Sequence, residues 1–347
     1  MKHLRAKRRF VVCVTTFVLV VLAVLSGELA LRLGFPSTTS HQRWVTGAGG
    51  SGPKLLILGD SFFSRLPAHE DIHDHLLEQV REWGIQILNP SRPGIGPHGY
   101  LELFVEAAQD FRPDVILVSH YVGNDLLDLG CTREIDQVMR EATLSPLGRD
   151  LWRTSFLLLY LEDLARRYAM RSPDFDWSAL EARGIPVEDI GRAKRFEVNP
   201  WVLGLGESRP SYYRETLLVD SDCAQRAWAN TIVVLDEILL RAHALGAVVV
   251  PVVFPHTLQV NELHHALYAS WQLEVDESML QARRPQELLR EYYASRGITM
   301  LDLLPPFKAA AERLYWDTDE HLAPAGQALA AREIAVFLAS RPELVAP

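Results

Sequence analysis

Five short apolar runs, separated by amphipathic segments, constrain the fold of this chain more than any other feature of its sequence. Four of the five are almost continuously apolar, which is typical of strands that helices cover on both faces. Regular alternation of strand and helix predicts a parallel sheet with right-handed crossovers, and therefore a doubly wound, three-layer α/β/α sandwich with a five-stranded parallel sheet. The predicted strands are 54–58, 85–88, 114–119, 247–254 and 298–301, and the predicted helices are about 70–83, 98–111, 224–245, 285–294 and 324–338.

Residues 126–223 interrupt this alternation. They contain no strand of the core type and are rich in aromatic residues, Trp201 and Tyr213 among them. Because a structureless loop of this length is improbable inside a domain, the segment is predicted to be a mainly helical insertion, with its clearest helix at 150–168. One interpretation is a cap that shapes a substrate pocket, and the other is a satellite core in which the aromatic side chains only pack.

The N-terminal residues predict an anchor in a membrane. Five basic residues lie within residues 1–9, and residues 10–27 form 18 uncharged positions. That length exceeds the apolar region of a secretory signal peptide and is enough for a membrane span. The basic flank predicts a cytoplasmic tail at 1–9, a single-pass inner-membrane signal-anchor at 10–33, a flexible linker at 34–53 and a periplasmic domain at 54–347. A cleaved signal peptide is the alternative, which changes the anchorage but not the compartment.

The charge balance excludes one class of partner. Lys and Arg total 35, five of them in residues 1–9, against 44 Asp and Glu. The exported part of the chain is therefore strongly acidic, whereas binding to nucleic acid phosphates requires a basic surface. We expect contact with the membrane through the N-terminal helix and no nucleic acid partner, and the sequence identifies no protein partner.

Two of the three cysteines become informative once export is predicted. Cys13 lies in the predicted membrane segment, so Cys131 and Cys223 are the two cysteines that would lie in an oxidising compartment. They form a candidate disulfide, and two buried free thiols are the alternative.

Polar and flexible residues follow four of the predicted strands. Gly59-Asp60-Ser61 follows the first strand, a segment with Gly94 and Gly96 the second, and Gly123-Asn124-Asp125 the third. Asp317-Thr-Asp319-Glu-His321 follows the fifth. Ligands of open α/β sheets bind outside the carboxyl ends of the strands, so these groups are expected on one rim. A hydroxyl, a flexible backbone N–H, a carboxamide and a carboxylate–imidazole pair are the groups that acyl transfer requires.

Together the four segments resemble those of the SGNH, or GDSL-type, hydrolase superfamily, over about residues 54–125 and 224–338. The resemblance implies that Ser61 is the nucleophile and His321 the general base. It also implies an oxyanion hole made of the backbone N–H groups of Ser61 and Gly94 and the side-chain amide of Asn124, with no cofactor and no metal. Gly96 is the alternative to Gly94, and a turn residue is the alternative role of Asn124, while Asp125 is expected to cap the segment that follows it.

The sequence departs from a common family pattern at the acid that orients the histidine. That pattern is D-x-x-H, but Thr318 stands three residues before His321. Asp319 gives D-x-H, a spacing that resembles the alginate-acetylation branch of the superfamily. We predict Asp319 as the acid, with Asp317 or a backbone carbonyl as alternatives.

A zinc site competes for the same part of the chain. His69-Glu70-Asp71-Ile72-His73 matches H-E-x-x-H, in which two histidines one helical turn apart bind Zn²⁺ and the glutamate activates water. The match lies in a polar run just after Pro67 and lacks a convincing third ligand. We therefore interpret it as a solvated helix start.

These observations lead to one favoured function and two alternatives. The first is an exported, membrane-tethered serine esterase acting on O-acetyl or short-chain acyl esters of a saccharide or lipid. The second is an O-acyltransferase of envelope polysaccharide that uses the same triad. The third is a non-catalytic envelope protein that binds acylated glycans.

Overall fold

The computed structural model describes residues 45–46, 52–64, 71–127, 129–130, 176–195 and 197–345, together with Ser26, Ile135 and Met139 as isolated positions. All of these except Ser26 belong to one unit, residues 44–144 with 174–347. Within these residues no helix is both long enough and apolar enough to cross a membrane. The predicted tail, nearly all of the predicted anchor, and the helix at 150–168 lie outside the described residues.

A six-stranded sheet forms the middle layer. Five of its strands are parallel, as the sequence predicts, and the sixth pairs antiparallel with β3 at one edge. The strand order is β1-β3-β2-β4-β5-β6. The strands are β1 (Val45–Thr46), β2 (Lys54–Leu58), β3 (Gln86–Leu88), β4 (Val115–Tyr121), β5 (Val248–Phe254) and β6 (Leu301–Asp302).

Most of the described residues between these strands are helical. A 3₁₀ turn also lies at Arg81–Trp83. The helices are α1 (Ile72–Gln79), α2 (Pro97–Phe111), α3 (Trp177–Ala182), α4 (Val187–Lys194), α5 (Pro200–Ser208), α6 (Tyr212–Leu218), α7 (Asp222–Leu245), α8 (Thr257–Val260), α9 (Leu263–Ser270), α10 (Ser278–Gln281), α11 (Arg284–Ala294), α12 (Leu304–Ala309), α13 (Pro324–Ala339) and α14 (Pro342–Val345).

Alternate residues of each central strand pack on opposite faces of the sheet. Leu56 and Leu58 of β2 belong to the apolar cluster that includes α2 and α7. Leu55 and Ile57 belong to the cluster that includes α1 and α13. Because side chains alternate along a strand, continuous apolar sequence in β2 fills both layers at once. The three-layer sandwich follows directly from this pattern.

The strand order reverses direction at β2. From β2 the chain crosses to β3 on one side, and it later returns to place β4 on the other side. A crevice opens outside the carboxyl ends of the strands at such a switch point, where doubly wound sheets bind ligands. Ser61 follows β2 and Asn124 follows β4, so these two residues flank the switch point.

Two parts of the sheet differ from the sequence prediction. The last strand is Leu301–Asp302 instead of 298–301, because the Ile298 N–H donates to the Tyr293 carbonyl at 3.0 Å and ends helix α11. Strand β1 lies inside the predicted linker, where a two-residue pairing leaves no periodic pattern to detect.

The described part of the insertion is helical and comprises helices α3 to α6 and the start of α7. Its side chains Leu180, Val202 and Tyr213 are buried in the same cluster that covers one face of the sheet. These residues therefore extend the main core instead of forming a satellite core. Cys223 is bonded in a disulfide. Cys131, its predicted partner, lies outside the described residues, so this pairing stays a prediction.

Candidate active site

The turn after β2 presents Ser61 at the rim of the sheet. A Cβ atom on Gly59 would lie 3.1 Å from Ser91 Oγ and 3.2 Å from Ser119 Cβ, so a larger residue would push the neighbouring strand ends apart. Asp60 holds the turn from inside, because its Oδ1 accepts the Phe62 N–H at 3.0 Å. Burial raises the pKa of Asp60 to about 6, against that hydrogen bond and the nearby charge of His321.

A hairpin loop presents His321 opposite Ser61. Tyr315 and Leu322 form an antiparallel bridge, and the Trp316 N–H donates to the His321 carbonyl at 3.1 Å. Gly326, in the first turn of α13, lets this hairpin approach, because a Cβ there would lie 2.2 Å from the Leu314 carbonyl oxygen. His321 therefore sits in a tight turn just before the helix.

Ser61, His321 and Asp319 form a continuous hydrogen-bonded chain. Ser61 Oγ lies 2.8 Å from His321 Nε2, and His321 Nδ1 lies 2.6 Å from Asp319 Oδ1. Because the carboxylate can only accept, it holds the proton on Nδ1 and leaves Nε2 of the neutral ring free to accept from the serine hydroxyl. This is the order of groups needed to activate a hydroxyl nucleophile.

Asp317 points elsewhere. Its carboxylate forms an ion pair with Arg313, and its side chain is 62% exposed. Of the two candidate acids, only Asp319 lies within hydrogen-bond distance of the imidazole.

The charges around His321 favour its protonated form. Burial acts to lower the pKa of His321, but the charge and hydrogen bond of Asp319, assisted by the charge of Glu320, raise it above its ordinary value. Burial acts in the opposite sense on Asp319, yet the neighbouring imidazole and its other donors leave the pKa of Asp319 below its usual range. A proton that moves from Ser61 to His321 is therefore stabilised by its surroundings.

The insertion reaches this loop through Asn199. The Asn199 carboxamide Nδ2 donates to Asp319 Oδ1 at 3.1 Å. Two further hydrogen bonds join the same segments: the Asn199 N–H donates to the Thr318 carbonyl, and the Thr318 hydroxyl donates to the Glu197 carbonyl. Sequence reasoning missed Asn199, since Asn-Pro-Trp indicates only a helix start and not its distant partner.

Glu320, between Asp319 and His321, interacts with three buried aromatic side chains, contacts that the sequence analysis also missed. Its Oε2 accepts from Tyr121 Oη at 3.1 Å and Tyr213 Oη at 2.6 Å, and His256 Nε2 lies 3.4 Å away. Although burial acts to raise the pKa of Glu320, the interactions with His256 and Tyr213 hold it below its usual range. Glu320 therefore adds a second negative charge beside His321.

His256 has a defined tautomer in this buried site. Its Nδ1 accepts the Leu258 N–H at 3.1 Å, so a neutral ring must carry its proton on Nε2, which faces Glu320. Burial lowers the pKa of His256, against the effect of Glu320. Gly123 is also required here, because a Cβ would lie 2.4 Å from the Tyr121 ring that reaches Glu320.

The predicted oxyanion groups follow their strands at the same rim. Gly94 has φ +70°, a left-handed conformation that glycine adopts readily, and no atom lies within 4 Å of where its Cβ would be. Backbone conformation therefore favours glycine here. Gly96, the alternative, is buried as the residue that begins α2, whereas Gly94 is exposed.

Asn124 lies in the turn after β4. Its N–H donates to the Tyr121 carbonyl at 3.4 Å, and its side chain acts to lower the pKa of Asp60 against the larger effect of burial. The Asp125 carboxylate accepts the Tyr121 N–H at 3.0 Å and the Tyr100 hydroxyl at 2.9 Å, which ties the turn back to the strand. Residue 128 lies outside the described residues, so the capping role of Asp125 stays a prediction.

The described part of the H-E-x-x-H motif belongs to the polar core. His69 and Glu70 lie outside the described residues. His73 is fully buried, with Nε2 2.9 Å from Thr46 Oγ1 and Nδ1 3.4 Å from Asn89 Nδ2. His73 therefore links α1 to strand β1 and to the end of β3. Within the described parts of the chain, no three metal-binding side chains cluster.

Comparisons with known proteins identify the chain only weakly. No protein-family model matches it, and no curated protein matches it. Solved structures similar to it include a lipase/acylhydrolase from Enterococcus faecalis, with 11% identity and a TM-score of 0.42 over 83% of this chain and 96% of that chain. Another is Axe2, an acetylxylan esterase from Geobacillus stearothermophilus, with 13% identity and a TM-score of 0.40 over 86% of this chain and 96% of that chain. Identities and TM-scores in this range support no inference about activity. The inference about activity therefore rests on the geometry of the site.

Proposed function

We propose that this protein is a serine ester hydrolase of the SGNH type that acts on O-acetyl or other short-chain acyl esters. The observation that supports this most directly is the hydrogen-bonded chain from Ser61 through His321 to Asp319, with distances of 2.8 and 2.6 Å. Three residues from two distant parts of the chain meet in the order nucleophile, base and acid. A purely structural role would not require a hydroxyl at the base's free nitrogen.

The proposed reaction uses these groups in two stages. Ser61 Oγ attacks the ester carbonyl carbon while His321 Nε2 takes its proton, and the oxyanion is stabilised by the N–H groups of Ser61 and Gly94 and the Asn124 amide. Collapse breaks the ester bond, and His321 returns the proton to the leaving alkoxide. Water then attacks the acyl-serine with His321 again as base, which releases the carboxylic acid and regenerates Ser61.

A saccharide is the substrate that the rim favours. Trp201 is 59% exposed and Trp316 is 46% exposed. Trp201 follows Asn199 closely, and Trp316 belongs to the loop that carries Asp319. Exposed indoles provide flat apolar surfaces, which suit the faces of sugar rings.

The same observation supports an O-acyltransferase as the second candidate. Both reactions pass through acyl-Ser61 and differ only in whether water or a sugar hydroxyl accepts the acyl group. A non-catalytic glycan-binding protein would also use exposed indoles, but it would not need the Ser61–His321–Asp319 chain.

Turnover measurements test this proposal. Purified full-length protein in detergent is assayed with p-nitrophenyl acetate, butyrate and octanoate, with and without a glycan acceptor, and is labelled with a fluorophosphonate. We expect faster turnover of acetate than of octanoate and covalent labelling at Ser61. Acyl transfer to the glycan in preference to water would favour the acyltransferase, whereas no turnover and no labelling would contradict both enzymatic functions.

We also propose that the domain acts on the periplasmic side of the inner membrane, tethered by residues 10–33. The basic flank, the apolar stretch 10–27 and the disulfide-bonded state of Cys223 support this location. A fusion of alkaline phosphatase after Pro347 should be active in cells. Activity of a reporter that works only in the cytoplasm would reverse this topology.

A further inference from the structure

One short segment of the insertion is bound directly to the loop that carries the acid. The Asn199 N–H donates to the Thr318 carbonyl at 3.2 Å, and the Thr318 hydroxyl donates to the Glu197 carbonyl at 2.6 Å. Between these two backbone contacts, Asn199 Nδ2 donates to Asp319 Oδ1 at 3.1 Å. Three hydrogen bonds therefore join residues 197–199 to residues 318–319, about 120 positions apart in the chain.

The orientation of the Asn199 carboxamide follows from its second contact. Asn199 is the N-cap of helix α5, directly before Pro200, and its Oδ1 accepts the Trp201 N–H at 3.0 Å. An N–H can bond only to the oxygen of the carboxamide, so the NH₂ group is the end that faces Asp319. The helix start thus determines which atom is presented to the acid.

Asp319 uses one oxygen for several donors. Its Oδ1 accepts from His321 Nδ1 at 2.6 Å, from the His321 N–H at 3.2 Å and from Asn199 Nδ2. The two contacts from His321 come from the residue that the acid must orient, so they cannot fix the carboxylate relative to the rest of the protein. Of the three donors, only Asn199 lies on a separate element. Donors behind a functional group that fix its orientation commonly affect activity without touching substrate.

We propose that Asn199 is a positioning residue for the acid of the triad, supplied by the insertion, so that helix α5 forms part of the active-site scaffold. This inference rests on the proposed function. Removal of the Nδ2 donor lets the Asp319 carboxylate rotate, and the imidazole then spends less time aligned with Ser61. The expected effect is on kcat and not on substrate binding.

Helix capping is the competing role for Asn199, and substitutions that keep the cap but remove the Nδ2 donor can separate the two roles. Asn, Asp and Ser are nearly equivalent residues at a helix start, so Asn199→Ser and Asn199→Asp both preserve the cap. Neither supplies the donor, because the serine side chain is one atom shorter and an ionised aspartate only accepts. Asp176 provides a matched control, since it begins helix α3 of the same insertion and accepts the Ser178 N–H at 3.1 Å.

The experiment measures kcat, KM, Tm and the pH dependence of kcat/KM for full-length wild type, Asn199→Ser, Asn199→Asp, Asp176→Ser and Ser61→Ala. We expect Asn199→Ser to lower kcat about 10-fold with KM and Tm close to wild type, while Asp176→Ser keeps wild-type kcat. In Asn199→Asp, a second carboxylate near His321 should move the midpoint of the pH profile upward by about one unit.

The outcomes distinguish this inference from the proposed function. Wild-type kcat and pH midpoint in both Asn199 variants would overturn the positioning role. Equal losses of kcat and Tm in Asn199→Ser and Asp176→Ser would also overturn it, because they would indicate capping alone. An inactive wild type, or full activity in Ser61→Ala, would instead overturn the proposed function, and this inference with it.

Discussion

The two halves of the candidate active site are held in position by different means. Ser61, Gly94 and Asn124 each follow a parallel strand within a few residues, and local turn contacts such as Asp60 to Phe62 set their backbone. Asp319 and His321 lie in a hairpin loop well beyond the last strand, and their surroundings include side chains from residues 199, 213 and 121. The nucleophile half is therefore a product of sheet topology, whereas the base half depends on long-range side-chain contacts.

This difference predicts how each half responds to substitution. Changes in the nucleophile half should remove a chemical group and leave the remaining geometry intact. Changes in the base half should disturb an orientation, so their effect should depend on which of several contacts is lost. Four sets of variants test this comparison, beginning with the largest expected effect.

Loss of the Ser61 hydroxyl should have the largest effect. Ser61→Ala removes the nucleophile itself and should lower kcat on the order of 10⁴-fold or more, with Tm close to wild type. The measurement is turnover of p-nitrophenyl acetate together with a thermal melt. EDTA should leave wild-type turnover unchanged. If EDTA stops turnover while Ser61→Ala remains active, the zinc interpretation of residues 69–73 is correct and the triad is not.

Substitution of the acid tests the base half directly. Asp319→Asn should lower kcat by up to about 10⁴-fold, because the imidazole then adopts the wrong tautomer and can rotate. Asp317→Asn is the matched control and should stay within a few-fold of wild type, since Asp317 pairs with exposed Arg313. The reverse order of the two variants would assign the acid to Asp317. Wild-type activity in both would leave a Ser–His dyad oriented by a backbone carbonyl.

Removal of one oxyanion donor should have a smaller effect. Asn124→Ala should lower kcat about 10² to 10³-fold, because two backbone N–H groups would still stabilise the oxyanion. KM for p-nitrophenyl acetate should change little, since the oxyanion forms only in the transition state. A loss confined to thermal stability, with kcat unchanged, would assign Asn124 to the turn after β4 alone.

Shifts of the pH profile should be the smallest effects. They report how the charges around His321 change its pKa. Because neighbouring carboxylates raise the pKa of His321, the base is unprotonated only at higher pH. Wild-type kcat/KM should therefore rise with pH, with a midpoint above the ordinary histidine value. Glu320→Gln removes one negative charge and should move this midpoint to lower pH.

Asp302→Asn is the control for the pH experiment, since Asp302 of strand β6 pairs with Arg290 of helix α11 and should not move the midpoint. An unchanged midpoint in Glu320→Gln, at a Tm close to wild type, would show that the charge of Glu320 does not affect the pKa of His321. A shift to higher pH would contradict the assignment of Glu320 as ionised.

Most of the sheet could be predicted because its signals are local. Strand β2 has the predicted bounds, and β4 and β5 begin within one residue of prediction, since buried parallel strands are continuous apolar runs. The prediction for the last strand was wrong because Ile298 and Met300 are apolar but pack against the core beyond helix α11. An apolar run shows that residues are buried and not whether their backbone pairs.

The roles of single polar residues were harder to predict. Asp125 follows Asn124 in a turn sequence, and nothing local indicates that Tyr100 and Tyr121 would bind its carboxylate from behind. Glu320 likewise has the sequence of a solvated loop residue, yet its side chain is only 17% exposed and lies against three aromatic residues. Such partners are set by packing of the core and cannot be derived from spacing.

Short segments of the chain were enough to predict the layered fold and the rim on which Ser61, Gly94 and Asn124 lie, because apolar periodicity and the residues that follow each strand are local properties. The spacing favoured Asp319 over Asp317, but the contact of Asp319 with His321 and that of Asn199 with Asp319 depend on tertiary packing. Both carboxylates belong to one loop and lie within four residues of His321. They become different when the fold turns one towards the imidazole and the other towards Arg313 and solvent.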